Sequence, residues 1–227
     1  MQKRSKRYRK NAALVDPKKR YDVAGGVAVL KKFEPGKFDQ TVDVSFSLGI
    51  DVKKAEQALR GAVSLPHGLG KSRKVVVFAE GADADKARAA GADEVGSDEL
   101  AKKVEGGWMD FDVAIAVPAM MKKISRLGRV LGPQGKMPSP KNGTVAEDVQ
   151  TAVREFKAGK IEYKADAGGN VQVPVGKLSF AADKLKDNVT FIVDHVRALK
   201  PPGLKGNYVR KVVLSGTMTP GVTLDIQ

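Results

Sequence analysis

Lys74-Val75-Val76-Val77-Phe78-Ala79 is an unbroken apolar run without alternation. A strand of this kind is covered on both faces, the habit of parallel sheets packed between helices. The pattern beyond it agrees. Asp83–Ala90 is alanine-rich and helical, Ala92–Val95 is a short strand, and Ser97 stands where an N-cap of a helix over Asp98–Glu105 would be. Phe111–Val117 is a second buried strand closed by Pro118, and helices over 119–126 and 145–157 complete the segment. Strands alternating with helices of this length predict a layered, Rossmann-like α/β domain with a mostly parallel sheet.

On either side the rhythm differs. Val42, Val44, Phe46 and Leu48 alternate with Thr41, Asp43, Ser45 and Ser47, the pattern of a half-buried strand. A helix over Tyr21–Lys32, with Val23, Val27 and Leu30 as its stripe, precedes it and stops at Glu34-Pro35-Gly36. A short helix is expected near Lys53–Arg60, then a Gly/Pro-rich stretch, Ser64–Lys71. Beyond Gly159, Ile161–Lys164 and Val171–Val175 suggest a hairpin around Ala167-Gly168-Gly169-Asn170. Phe180–Leu199 is a long amphipathic helix, with Leu185, Val189, Ile192, Val193 and Val196 on one side, stopped by Pro201-Pro202-Gly203. Tyr208–Ser215 and Val222–Ile226 close the chain as strands.

Segments 21–68 and 159–227 are each short for an independent core. Together they make one discontinuous two-layer α+β domain, with residues 69–158 inserted as the α/β domain and residues 1–20 as a basic tail. Glycine-bearing crossings at Gly68 and Gly159 would allow a hinge.

Charge follows this division. The 227-residue chain carries 40 Lys plus Arg against 26 Asp plus Glu, a net of +14. Segment 69–158 has 15 basic and 13 acidic residues, a net of +2, and the remainder has 25 and 13, a net of +12. Residues 1–20 alone reach +8. Such an excess favours polyanions, nucleic acid before membrane. The tail, from Lys3 to Arg20, has no sustained apolar period; it is either a solvated arm or a segment ordered on a phosphate backbone. There is no cysteine, which removes disulfides, zinc-thiolate sites and thiol nucleophiles. No apolar run approaches the roughly 18 residues of a membrane span, and the basic start leads into no hydrophobic signal core.

Enzymatic motifs fail on inspection. Gly70-Lys71-Ser72 resembles the end of a phosphate loop, but Leu65 stands where its first glycine belongs and the run opens a strand rather than a helix. His67 and His195 are the only histidines, no carboxylates stand at ligand spacing, and no cofactor or metal is expected. The run from Leu127 to Gly143, with four glycines and three prolines, is either a packed connection or a contact surface. The best local signal lies in the outer segments. Lys37 and Phe38 precede the strand bearing Thr41 and Asp43, and Ser215-Gly-Thr217-Met218-Thr-Pro220 links the last two strands. Hydroxyls suit phosphate and ribose 2′-OH groups, Phe and Met suit a sugar or base face, and a carboxylate suits a 2′-OH or base amine. The same residues are also ordinary turn material.

Several long blocks carry a resemblance: Lys37-Phe-Asp-Gln-Thr-Val-Asp43, Leu48-Gly-Ile-Asp51, Arg60-Gly-Ala-Val-Ser-Leu-Pro-His-Gly-Leu-Gly-Lys71, Gly107-Trp-Met-Asp-Phe-Asp112, Leu127-Gly-Arg-Val-Leu-Gly-Pro-Gln-Gly-Lys136, Met137-Pro-Ser-Pro-Lys141, Pro174-Val-Gly-Lys177 and Thr217-Met218. Over residues 8 to 227 the chain resembles the bacterial L-one family of large-subunit ribosomal proteins, which forms the mobile stalk beside the tRNA exit site. The resemblance implies a non-catalytic, cytoplasmic, ribosome-associated protein, monomeric off the ribosome. It also implies binding to large-subunit rRNA, assistance to deacylated tRNA leaving the exit site, and repression of translation from its own operon mRNA. By position it assigns Phe38, Thr41, Asp43, Thr217 and Met218 to an rRNA and mRNA patch with Lys37 nearby, and more weakly Lys177, Ser179, Lys205 and Ser215. Thr219 departs from the glycine usual in the family. Two other readings remain: a nucleotide-dependent enzyme working from the α/β segment, and a general basic RNA chaperone.

Overall fold

The computed structural model describes residues 4–54, 57–202, 204 and 206–225. The chain runs α1 (Lys6–Ala13), α2 (Val23–Lys31), β1 (Thr41–Leu48), β2 (Arg60–Val63), β3 (Val75–Phe78), α3 (Ala82–Ala89), β4 (Glu94–Gly96), α4 (Asp98–Glu105), β5 (Val113–Ala116), α5 (Met121–Ile124), α6 (Gly128–Leu131) and α7 (Val149–Ala158). It continues through β6 (Ile161–Lys164), β7 (Asn170–Lys177), α8 (Ala182–Ala198), β8 (Val209–Gly216) and β9 (Val222–Leu224). Its described residues fall into two compact units. One comprises Met1–Arg60, Leu65–Gly70 and Tyr163–Gln227, the other Gly61–Ser64 and Lys71–Glu162.

The first unit is a two-layer α+β fold. Its antiparallel sheet has the order β7-β1-β8-β9. Alternation in β1 sends Val42, Val44, Phe46 and Leu48 inward, where Val171, Val173, Val175, Val212 and Leu214 join them. Val27 and Leu30 of α2, with Leu185, Val189 and Ile192 of α8, close this core. Each fully buried side chain of this size contributes about 1.5–3 kcal/mol, so the apolar layer dominates the unit's stability. Gly26 lets α2 approach closely, because a Cβ there would lie 2.5 Å from Leu224 Cδ2. The opposite sheet face carries no helix layer of this kind: Thr41, Asp43, Ser45 and Ser47 on β1, and Val213 and Ser215 on β8, stay half-exposed.

The second unit is a three-layer α/β fold around a parallel sheet of order β4-β3-β5. Val75 and Val77 pack towards Ala84 and Ala87 of α3 and Val153 and Phe156 of α7. Val76 and Phe78 pack the other way, towards Leu100 and Val104 of α4 and Ile124. The uninterrupted apolar run is thereby accounted for: both pleat faces of β3 are interior.

Several local expectations give way. Described residues between 53 and 60 make one α-turn, Ala58 N–H to Lys54 O at 3.1 Å, before β2 begins; positions 55 and 56 lie outside the described residues. The 161–175 segment is not a regular hairpin. Its turn closes, with Asp166 Oδ1 accepting Gly168 N–H at 2.9 Å and Asn170 N–H at 2.7 Å. The flanking strands then part, because β7 joins β1 in the buried sheet while β6 takes β2. Ser97 precedes α4 but makes no side-chain cap bond; its backbone, at φ −115° and ψ −108°, is not the extended one a capping serine uses. The 119–126 helix is broken into 3₁₀ and α turns over 118–131. Helix α7 starts only at Val149, since Val145 bridges Ala116 and Asp148 supplies the cap to Gln150 and Thr151 N–H. Residues 127–143 fold as a packed connection: Leu127 and Leu131 are buried, and Lys136 Nζ donates to Met109 O at 3.0 Å and Phe111 O at 2.6 Å. Ile226 and Gly203, expected at a strand end and a helix stop, lie outside the described residues.

The basic start is not a structureless arm. Ser5 caps α1 by accepting Tyr8 N–H at 3.2 Å. Asn11, almost fully buried, accepts Glu34 N–H at 2.9 Å and donates to Glu34 O at 3.4 Å. A single well-placed amide anchors a helix too polar to show an apolar period.

Candidate nucleic-acid interface

The loop before β1 and the turn after β8 meet through backbone and hydroxyl bonds. Thr41 N–H donates to Thr217 Oγ1 at 3.2 Å, and Thr217 N–H and Oγ1 donate to Thr41 O at 3.0 and 3.3 Å. Lys177 Nζ donates to Thr41 Oγ1 at 3.0 Å. Asp43 sits opposite Ser215 in the β1–β8 ladder, next to a bulge at Val42/Asp43 on the β7 side. Bulges turn side chains out of register and recur beside functional surfaces. Burial pushes the Asp43 carboxyl above the ordinary aspartate value, and the Lys177 ammonium partly opposes it.

Two apolar side chains flank these polar groups. Phe38 is 55% exposed and Met218 52%. A Phe and a Met left in water beside hydroxyls and a lysine are better suited to lie on a sugar or base than to serve a core. Lys37 is exposed beside Phe38.

What holds Met218 out is a residue that the motif reading passed over. Gln40 is fully buried; its Oε1 accepts Met218 N–H at 2.9 Å, and its backbone O accepts Leu178 N–H at 2.8 Å. Among the described residues its Nε2 has no hydrogen-bond partner. The sequence signal was available: a glutamine at the foot of an alternating strand, on its apolar side. Arg7 of α1 was also missed. Its Nη1 lies against Gly36, 2.9 Å from where a Cβ would stand, which sets the basic helix beside the loop carrying Lys37 and Phe38.

Of the weaker assignments, Lys177 and Ser215 adjoin Thr41 and Asp43 as above. Ser179 is tied to Asp39, with N–H and Oγ donating to its carboxylate at 3.1 and 2.7 Å. Lys205 lies outside the described residues. Thr219 fits without strain. Its N–H donates to Gly216 O at 3.1 Å, its Oγ1 accepts Gly216 N–H at 2.8 Å, and every described residue with positive φ is a glycine. A threonine hydroxyl here closes the turn that presents Thr217 and Met218.

The other groups are accounted for locally. Lys71 pairs with Asp112 at 3.4 Å. His67 meets Asp187 at 3.0 Å, and His195 meets the Tyr163 hydroxyl at 3.0 Å, with burial lowering its pKa. Among the described residues no three His or carboxylate groups gather to hold a metal, and no helix is long and apolar enough to cross a membrane.

A hydroxyl-lined sheet face edged by cations and two exposed apolar side chains is a candidate binding surface. Residues 30–220 match the Ribosomal protein L1p/L10e family, and the chain belongs to that family of structural, non-enzymatic ribosomal components. It is 51% identical over 226 residues to the large ribosomal subunit protein uL1 of Lactiplantibacillus plantarum, covering 100% of this chain and 99% of that one. It is 49% identical over 227 residues to the protein of that name from Kosmotoga olearia, covering 100% and 98%. Against that of Fervidobacterium nodosum it is 51% identical over 227 residues, covering 100% and 97%.

Proposed function

We propose that this chain is a constituent of the large ribosomal subunit that binds large-subunit rRNA at the mobile stalk through the face built on Phe38, Thr41, Asp43, Thr217 and Met218. The observation that carries the site is the pairing of exposed Phe38 and Met218 with a hydroxyl cluster that buried Gln40 holds in place. A-form RNA hides its base edges in a deep major groove, so shape, 2′-OH and backbone contacts dominate its recognition. Thr41, Thr217 and Asp43 offer the acceptors and donors for such contacts, and Met218 and Phe38 the apolar packing. The discontinuous outer domain is the RNA platform; together with the basic residues 1–20 it carries +12 against +2 for the inserted segment.

The same face binds the chain's own operon mRNA and so represses its translation, and the stalk-bound protein assists deacylated tRNA in leaving the exit site. One face for two RNAs means exclusive binding. With labelled stalk rRNA fragment bound, unlabelled operon leader should displace it completely, and Met218→Ala should weaken both RNAs together. A ternary complex of protein, rRNA fragment and leader would show that the two do not share the face. A nucleotide-dependent enzyme in the α/β unit is disfavoured by the family, and by the engagement of Lys71 and Lys136 within that unit.

A further inference from the structure

We infer a second RNA contact: a phosphate-binding cleft at the β8–β9 edge of the first unit, at the opposite end of the open sheet face from Met218. The inference rests on the rRNA reading and extends its footprint. The cleft encloses about 320 Å³ and is lined by Lys18, Lys19, Arg20, Arg210, Lys211 and Thr223, among other residues. Five of these six are cations, and no described residue lining it is acidic.

The walls are built, not frayed. Asp16 uses its carboxylate to accept Lys18 N–H at 2.9 Å and its backbone O to accept Lys19 N–H at 3.2 Å, which fixes the turn. Tyr21 N–H then donates to Thr223 O at 3.0 Å and Asp225 N–H to Tyr21 O at 2.7 Å, lacing the segment onto β9. Lys19 Nζ lies 5.1 Å from the centre of the Tyr21 ring. On β8, the ladder with β1 pairs Ser47 with Lys211 and Leu48 with Val209, so Arg210 is the extra residue of a bulge. Its guanidinium packs at Gly49, Nε 3.2 Å from where a Cβ would stand.

Like charges gathered on fixed backbone repel one another unless an anion joins them. Elsewhere in the molecule a comparable group is neutralised internally: Lys123 reaches Glu80 at 2.5 Å and Asp98 at 3.3 Å, and Arg126 reaches Asp98 at 3.8 Å. None of the five cations at the β8–β9 cleft has such an ion pair among the described residues, so an anion from outside would relieve their mutual repulsion. Position identifies it as a backbone phosphate of the same RNA. Lys211 alternates with buried Val212 and so shares the open face with Val213 and Ser215. It stands six residues before Thr217, about 20 Å at 3.3 Å per residue. Hydroxyls at one end and uncompensated cations at the other suit one polyanion lying along the strand.

The chain has no cysteine, so a single introduced thiol labels cleanly. Full-length Lys211→Cys and Pro35→Cys proteins, the second placing its thiol at an exposed position beside the Phe38 loop but outside the patch, would each carry a tethered iron chelate and be bound to the stalk rRNA fragment, and the strand cuts mapped. We expect cuts from position 211 at nucleotides distinct from those cut from position 35. In parallel, Lys18→Gln/Arg20→Gln/Lys211→Gln should lower the slope of log K against log salt by about 1 for each phosphate no longer neutralised, with preference over a scrambled RNA retained. Cuts from 35 but none from 211, or an unchanged salt slope, would overturn the cleft while leaving the rRNA reading intact. No preference for the fragment by wild-type protein would remove the rRNA reading, and the cleft with it.

Discussion

Gln40→Met tests how the binding surface is presented. The replacement keeps the length and approximate volume of a fully buried side chain while deleting its amide. Two effects oppose each other in stability. Met218 N–H loses its acceptor, at 2.9 Å in the wild type, and a buried donor left unpaired costs about 1–3 kcal/mol. The lone Gln40 Nε2, itself a buried donor without a described partner, disappears and returns a similar amount. Urea unfolding should therefore place Gln40→Met within about 1 kcal/mol of wild type. Binding has no such compensation. The turn carrying Thr217 and Met218 loses an anchor worth about 1 kcal/mol, and the RNA must now order it. With about 1.4 kcal/mol per tenfold, Kd for the stalk fragment should rise roughly fivefold. Filter binding at fixed salt reads this directly. An unchanged Kd at wild-type stability would refute the positioning role, and a loss of several kcal/mol with unchanged Kd would make Gln40 a purely structural residue.

Thr217→Ala should weaken the specific complex while leaving weak, salt-sensitive binding to scrambled RNA as it was, measured by competition at one salt concentration. Tyr208→Phe removes a buried hydroxyl that has no described hydrogen-bond partner and whose pKa burial raises to about 12. Because the folded value lies above the unfolded one, wild type loses stability as pH rises from about 10 towards about 12. The variant should lack that loss in unfolding curves taken across the range. Asp148→Ala should lower the stability of the second unit at neutral pH, since hydrogen bonds from Thr151 and Gln150 hold this carboxyl below its ordinary value. The deficit should vanish as pH falls through the Asp148 pKa, which thermal melts at descending pH would show.

Architecture was largely legible because periodicity reports burial. Val75 to Phe78 is apolar without interruption since both faces are interior, and β1 alternates since only one is. What stayed hidden depended on long-range choice of partner. Nothing local in Ile161–Lys164 says that it will pair with β2 rather than with the strand one tight turn away. Helix α1 is fixed by Asn11 bonding backbone 23 residues distant, which no window of sequence displays. The proposed patch showed a similar split. Phe38, Thr41, Asp43, Thr217 and Met218 were nameable from motif blocks, whereas Gln40 and Arg7 emerge only when the 36–41 loop, α1 and the 216–219 turn are placed together. Lys18 to Arg20 read as tail charge until β9 and the β8 bulge give them walls.

In the proposed mode of binding, specificity for rRNA resides in the Met218 patch, while charge supplies general attraction. Binding of wild type and Met218→Ala to a stalk-region rRNA fragment and to a scrambled RNA of equal length, at two salt concentrations, measures it most directly. Wild type should show a preference for the native fragment that survives higher salt, and the variant should lose it. Equal, salt-sensitive binding of both RNAs by wild type would contradict this mode of binding.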